Sequence, residues 1–313
     1  MGNLCCTQER QSLTNRGAQV MSKKGAHESE DAEEELDRAH RPSIDVAVKG
    51  QMLSMPKHVK ELMKKFPPDN VKANMVSAKG MPVLGPYKYK DGATYHGQYK
   101  LGMRHGEGIQ INPDGSFYQG FWDSDQMFLR GRIITTNGDL YDGDLDYEQP
   151  HGRGTLRTND GTVYYGGWER GKKHGTGEET YPDGAMYTGR YRNGLRHGHG
   201  TFQSTDGSVY EGDFFNGNMH GKGDYKWTDG RRYVGDFKLN KMEGEGTFTW
   251  PDGRKYVGEY KEDLKQGLGT FEWADGRKYI GYWVNGKQDG NGELIYPDGS
   301  NVHAIWKEGI QQR

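Results

Sequence analysis

From residue 95 onward, apolar and polar positions recur in a fixed cycle of 23 residues. Tyr95, Tyr118, Tyr141, Tyr164, Tyr187, Tyr210, Tyr233, Tyr256 and Tyr279 open successive cycles without an insertion. Val302 takes the tenth opening position, and a half-cycle over residues 85–92 precedes the first. Inside a cycle the period is two. Tyr233, Gly235 and Phe237 alternate with Val234 and Asp236, which puts Tyr, Gly and the aromatic on one face of a strand. The small glycine leaves room for neighbouring rings to lie over the backbone. A second strand follows, with Phe248 and Trp250 sharing a face, and the next cycle repeats them as Phe271 and Trp273.

Two turns join the strands. One carries Asp-Gly, as in Pro251-Asp252-Gly253; its glycine is present in all nine cycles, and Asn137 replaces the aspartate once. Asp-Gly and Asn-Gly supply the positive φ of a tight hairpin. The other turn is expected to be longer and to carry Gly-x-Gly, as in Gly221-Lys222-Gly223. Strand, turn, strand, turn at constant length predicts an antiparallel meander.

Tyr-x-Gly-x-aromatic, then Gly-x-x-x-Gly-x-Gly, then Asp-Gly, resembles the membrane occupation and recognition nexus (MORN) repeat over residues 87–309. The resemblance implies an all-β fold: an elongated, single-layer, twisted antiparallel meander of tandem hairpins. With strands ~4.8 Å apart and two per cycle, nine cycles would extend about 85 Å before twist shortens them. Nine full repeats fill residues 95–301, with half repeats at 85–94 and 302–313. The second cycle departs from the pattern: Asp125, Phe128 and Leu129 stand where most others have Gly, His and Gly. Drift in a tolerant loop and a partner-binding patch both account for that.

The first 86 residues show no repeat. Residues 1–55 read as a disordered tail with an acidic run at 28–37. Residues 56–86 read as a short helix and connector capping the array. Val59, Leu62, Met63 and Phe66 fall at helical spacing, opposite Lys57, Lys60, Lys64 and Lys65. The helix is expected over the first strand, whose open edge otherwise invites aggregation; a membrane or partner contact is the other reading.

Composition narrows the function. Only 32% of residues are hydrophobic, yet 20 Tyr and 7 Trp are present, which fits an ordered chain with a thin core. The net charge of −2 supplies no field for nucleic acid. The two cysteines are adjacent in the tail, so no disulfide framework is expected. His105, His151, His174, His197 and His220 form a column, but equivalent positions in neighbouring cycles lie ~9.6 Å apart, too far to share a metal. No phosphate loop, dinucleotide fingerprint, nucleophile elbow or kinase loop occurs. Some proteins with this repeat carry kinase or methyltransferase domains; no length is expected to remain for one here. The expectation is no catalytic residue, no metal and no cofactor.

Three candidate sites remain. Gly2, Cys5 and Cys6 cluster at the N-terminus, where Gly2 can accept a myristoyl group and paired cysteines suit palmitoylation. Cys6 stands where the usual pattern has Ser or Thr. Tyr210, Phe214, Tyr233, Phe237, Tyr256, Tyr260, Tyr279 and Trp283 form an aromatic stripe that could serve a partner or simply be the thin core. Arg232, Lys255 and Lys278 recur on the opposite face and are candidates for phosphoinositide headgroups, or a solvated row balanced by Asp236 and Glu259.

The resemblance is to N-terminally acylated members without a kinase domain. It implies a membrane-tethered scaffold at the cytoplasmic face of a membrane, with protein partners, anionic phospholipids and homodimerisation as candidate interactions. The alternatives are a soluble component of a ciliary, axonemal or cortical cytoskeletal assembly, and a regulatory subunit of a phosphoinositide kinase.

Overall fold

The computed structural model describes residues 54–67, 81 and 83–312. The expected tail lies almost wholly outside the described residues, as does most of the connector. What is described is one antiparallel sheet of 21 strands and one helix, α1 (Lys57–Lys65). The sheet begins β1 (Val83–Lys88), β2 (Thr94–Lys100), β3 (Met103–Ile111), β4 (Phe117–Asp123), β5 (Gln126–Ile134) and β6 (Leu140–Asp146). It continues at two strands per cycle to Lys287–Ile295, then Asn301–Lys307 and Ile310–Gln311. Each strand pairs with its neighbours in sequence, so the predicted meander is the observed one.

The expected roles of the two turns are exchanged. The tight turn is the one without Asp-Gly: Leu239 and Asn240 have φ of 51° and 70°, the two left-handed residues of a type I′ hairpin. Asn216 and Gly217 occupy the same place in the preceding cycle. The Asp-Gly turn is longer. Trp250 N–H donates to the Arg254 carbonyl at 2.9 Å and Gly253 N–H to the Trp250 carbonyl at 3.1 Å, with Gly253 left-handed at φ 93°. There the aspartate contributes its side chain: Asp252 accepts from Arg254 N–H at 3.1 Å. Gly-x-Gly is not a turn at all. It lies inside the second strand, where the register slips between Gly235 and Phe237 in a β-bulge.

That bulge builds the core. Gly235 faces Gly246 across the hairpin, and the Tyr233 ring lies over both. The Tyr233 hydroxyl donates to the Asp236 carbonyl at 2.9 Å. The ring meets Phe237 of its own cycle at 5.1 Å and Tyr260 of the next at 5.2 Å, both nearly perpendicular. Such edge-to-face pairs stabilise by roughly 0.5–1.5 kcal/mol beyond burial. The herringbone continues through Tyr256, Trp283, Tyr279 and Trp306, and is interrupted where Leu145 replaces a ring. A single layer thus buries its own aromatic face without a second sheet.

α1 does not cap the first strand. It lies on the face opposite the tyrosines, across β3 to β6. Ile111, Phe117, Ile134 and Leu140 stand side by side in register there. Val59 is fully buried against them, with Leu62, Met63 and Phe66 partly so. The helix end is held by Arg132, which donates to the Phe66 carbonyl at 2.6 Å while forked onto Asp142 at 2.7 Å. Val59→Asp is expected to undock α1, at a cost of about 2 kcal/mol. Tryptic cleavage at Lys60 and Lys64 should accelerate while the array's melting temperature stays put.

Candidate functional site

The aromatic stripe is core. Tyr210, Tyr233, Tyr256 and Tyr279 are 0% exposed, and Phe214, Phe237, Tyr260 and Trp283 are 3–5% exposed. These eight rings have spent their surface on one another and on the glycine pairs, so they offer almost no area to a partner. Rings left partly open on that side include Tyr225, Trp227, Trp250 and Trp273, nearer the Asp-Gly turns.

The opposite, outer face carries an open groove. A groove of 680 Å³ crosses the strands from Leu195–Gln203 to Lys255–Lys261, and a hollow of 480 Å³ continues it to Asn301–Lys307. Its floor is an aliphatic column: Val234, Val257 and Ile280 are 43%, 42% and 39% exposed, and Leu268 and Ile305 reach 54% and 60%. Carboxylates border it. Glu211, Asp213, Asp224 and Glu245 line the groove against one lysine, Lys222, which is paired to Asp236 at 2.7 Å. The column arises because the second residue of each cycle must face away from the tyrosines, and cycles seven to nine place Val, Val and Ile there.

The three basic candidates are not a free cationic row. Arg232 forks onto Asp224 at 2.8 and 2.9 Å. Lys278 pairs with Glu272 at 3.5 Å, and Lys255 stands opposite that same glutamate in register. Asp236, one of the two expected balancing charges, pairs instead with Lys222. Burial raises the Asp224 carboxyl, but Arg232 and Lys226 outweigh it and hold the group below the usual carboxylate range.

The histidine column serves the tight turns. His105 meets Asp123 at 3.2 Å and His174 meets Glu169 at 3.1 Å, while His197 and His220 flank the Phe215 ring. Among the described residues, no group of His, Cys, Asp or Glu is arranged to hold a metal ion. In the second cycle, Leu129 takes the left-handed bulge position at φ 62°, where Gly106 and Gly152 sit in the flanking cycles. Phe128 stacks on Tyr147 at 5.6 Å, and Asp125 accepts from Arg104 N–H at 2.8 Å. Local contacts therefore explain Asp125 and Phe128. Leu129 is 45% exposed and has no such explanation. Gly2, Cys5 and Cys6 lie outside the described residues.

No curated protein matches the chain. Among solved structures it is similar to the G-box domain of the microcephaly protein CPAP, at 19% identity and a TM-score of 0.35, over 64% of this chain and 100% of that one. It is also similar to the TCP10 domain of Danio rerio CPAP, at 14% identity and a TM-score of 0.36, over 66% and 99%. The family model for the MORN repeat matches residues 95–117, 141–163, 164–186, 187–209, 210–231, 233–253, 256–276 and 279–301. The unmatched interval is the second cycle, with Leu129 in place of the bulge glycine. With eight matches spanning more than half of its length, the chain belongs to the MORN-repeat family.

Proposed function

We propose that this chain is a non-catalytic, membrane-tethered scaffold whose outer face docks a basic amphipathic segment of a protein partner. One observation carries the docking reading: an exposed aliphatic column, bordered by carboxylates, on the same face that already buries a helix of this chain. α1 is apolar along one side and carries Lys57, Lys60, Lys64 and Lys65 elsewhere. It lies where the residues before the tyrosines are Phe117 and Leu140; in cycles seven to nine Arg232, Lys255 and Lys278 stand in that place. A partner segment of similar character would place apolar side chains on Val234, Val257 and Ile280 and its cations towards Glu211, Asp213 and Glu245.

The tether rests on the sequence Met1-Gly2-Asn3-Leu4-Cys5-Cys6. No helix among the described residues is long and apolar enough to cross a membrane. A myristoyl chain alone binds bilayers only marginally, at about 10⁴ M⁻¹, so a second chain on Cys5 or Cys6 would make attachment durable. The location proposed is therefore the cytoplasmic face of a membrane. Detergent-free fractionation tests this. Wild type should sediment with membranes, Gly2→Ala should be soluble, and Cys5→Ser/Cys6→Ser should shift largely to the soluble fraction. If all three distribute alike, the tether is wrong.

A further inference from the structure

The outer groove holds more negative charge than its own cations answer. Glu211, Asp213 and Glu245 line it, and Glu259 stands directly opposite Glu245 in register. All four are exposed. Among the described residues, no lysine or arginine forms an ion pair with them. The nearby cations are committed elsewhere, Lys222 to Asp236 and both Arg232 and Lys226 to Asp224. Only His199 approaches, at 3.9 Å from Glu211 and 3.8 Å from Asp213. Like charges directly opposite each other destabilise a strand pair. A cation brought in from outside the sheet would relieve Glu245 and Glu259.

The chain carries a segment of matching character outside the described residues. From Arg10 to Lys24 there are four cations, Arg10, Arg16, Lys23 and Lys24, and no acid, with Leu13, Val20 and Met21 among them. Four cations thus answer four carboxylates, and the apolar side chains answer the floor of Val234, Val257 and Ile280. The described chain that follows this segment starts on the outer face itself. Met55 packs against the cluster under α1, and His58 lies beside Gly115 at the turn between β3 and β4. The strand Val209–Phe215, which carries Glu211 and Asp213, is eight strands beyond β4, about 38 Å away at ~4.8 Å per strand. Thirty residue steps separate Lys24 from Ser54, a reach of up to about 100 Å. The other basic stretch, Arg38 to Lys49, starts too close: Lys49 reaches only about 17 Å from Ser54 and falls short of Glu211.

We propose that residues 10–24 of this chain dock in cis in the outer groove and compete there with the basic segment of a partner. The proposal rests on the reading of the groove as a docking face. A tethered segment meets its site at an effective concentration in the millimolar range, provided the tether spans the distance. With a Kd of about 100 µM for the free segment, the tethered copy weakens a competitor about tenfold. The segment begins four residues after Cys6, so attachment to an anionic bilayer and docking in the groove draw on the same four cations.

The test uses the full-length, unacylated chain and a fluorescein-labelled peptide of residues 10–24, with binding read by anisotropy. Arg10→Gln/Arg16→Gln/Lys23→Gln/Lys24→Gln removes the cis competitor and leaves the sheet untouched. This tail variant should bind the peptide, and wild type should bind it about tenfold more weakly. Adding Glu211→Gln/Asp213→Asn/Glu245→Gln/Glu259→Gln to the tail variant should abolish binding without lowering the melting temperature. Equal binding by wild type and the tail variant would mean an open groove, which overturns the inference and leaves the docking reading standing. No binding by either chain overturns it too, and partner recovery with Val234→Asp/Val257→Asp/Ile280→Asp then decides the docking reading separately. Binding that survives neutralisation of the four acids would place the segment elsewhere. Self-association of wild type that the tail variant lacks would mean tails exchanged between copies. Either result overturns docking in cis.

Discussion

Tyr233→Ala should destabilise the array by about 3–5 kcal/mol, whereas Tyr233→Phe should cost only about 1 kcal/mol. The difference separates the ring from its hydroxyl. Tyr→Phe removes one hydrogen bond, the one donated to the Asp236 carbonyl. Tyr→Ala empties the space over Gly235 and Gly246, and neither glycine has a side chain with which to fill it. Nor can a substitution there refill it easily, since a Cβ on Gly235 would sit 2.6 Å from the Gly246 Cα. The cavity therefore persists, which places the cost towards the upper end of the range. The ring also joins two cycles through Phe237 and Tyr260. In a solenoid each repeat contacts only its neighbours, so losing this joint should split one melting transition into two. Urea unfolding followed by calorimetry checks both outcomes. A single transition with a loss under about 1 kcal/mol would mean that the herringbone does not couple the cycles.

Alkaline unfolding is the second large effect. Burial pushes the repeat tyrosines up from their ordinary value: Tyr187 and Tyr279 to about 12, and Tyr95, Tyr118, Tyr141, Tyr164, Tyr210, Tyr233 and Tyr256 higher still. An unfolded tyrosine loses its proton near pH ~10. Above that pH the unfolded chain binds fewer protons than the folded one, so stability falls as pH rises. Nine tyrosines act in the same direction, and the loss should be steep. Lys265 acts oppositely. Burial, with a smaller push from Arg254, lowers it to about 8, so between pH ~8 and ~10.4 the unfolded lysine still holds a proton that the folded one has released. Stability should rise slightly over that window, and Lys265→Met should flatten the rise. Phenolate absorbance of the nine buried tyrosines should rise together with the loss of the sheet by circular dichroism, in one cooperative step above pH ~10. Phenolate from these nine, beyond what the exposed tyrosines supply, appearing with the sheet intact would contradict the buried herringbone.

The sequence made the meander and the identity of the facing residues legible, because a period of two within 23 residues leaves no second way to pair the strands. It did not reveal that the bulge closes rings over the glycine pairs, so the stripe could be read as a surface. The turns were exchanged for a related reason. Asp-Gly supports a tight hairpin in isolation, but here Asp252 uses its carboxylate within a longer loop, while Leu239 and Asn240 adopt left-handed backbone without glycine. The helix was legible from Val59, Leu62, Met63 and Phe66. Its docking place was only partly written in the chain: cycles two and three put the bulky Phe117 and Leu140 before the tyrosine and cycles seven to nine put charges there, but cycles four to six carry Val163, Met186 and Val209. The groove carboxylates had no such signal, because surface acids in one repeat look alike until register aligns them.

The central claim is that partners dock on the outer face, and not on the tyrosine core. The most direct measurement is quantitative co-purification from cells with Val234→Asp/Val257→Asp/Ile280→Asp, beside wild type and with each melting temperature recorded. These side chains point away from the core and are about 40% exposed, so the fold should survive. The account predicts unchanged membrane association and melting, with specific partner recovery reduced about tenfold, as ~1.4 kcal/mol of lost docking would give. Full partner recovery by the folded triple variant would contradict it.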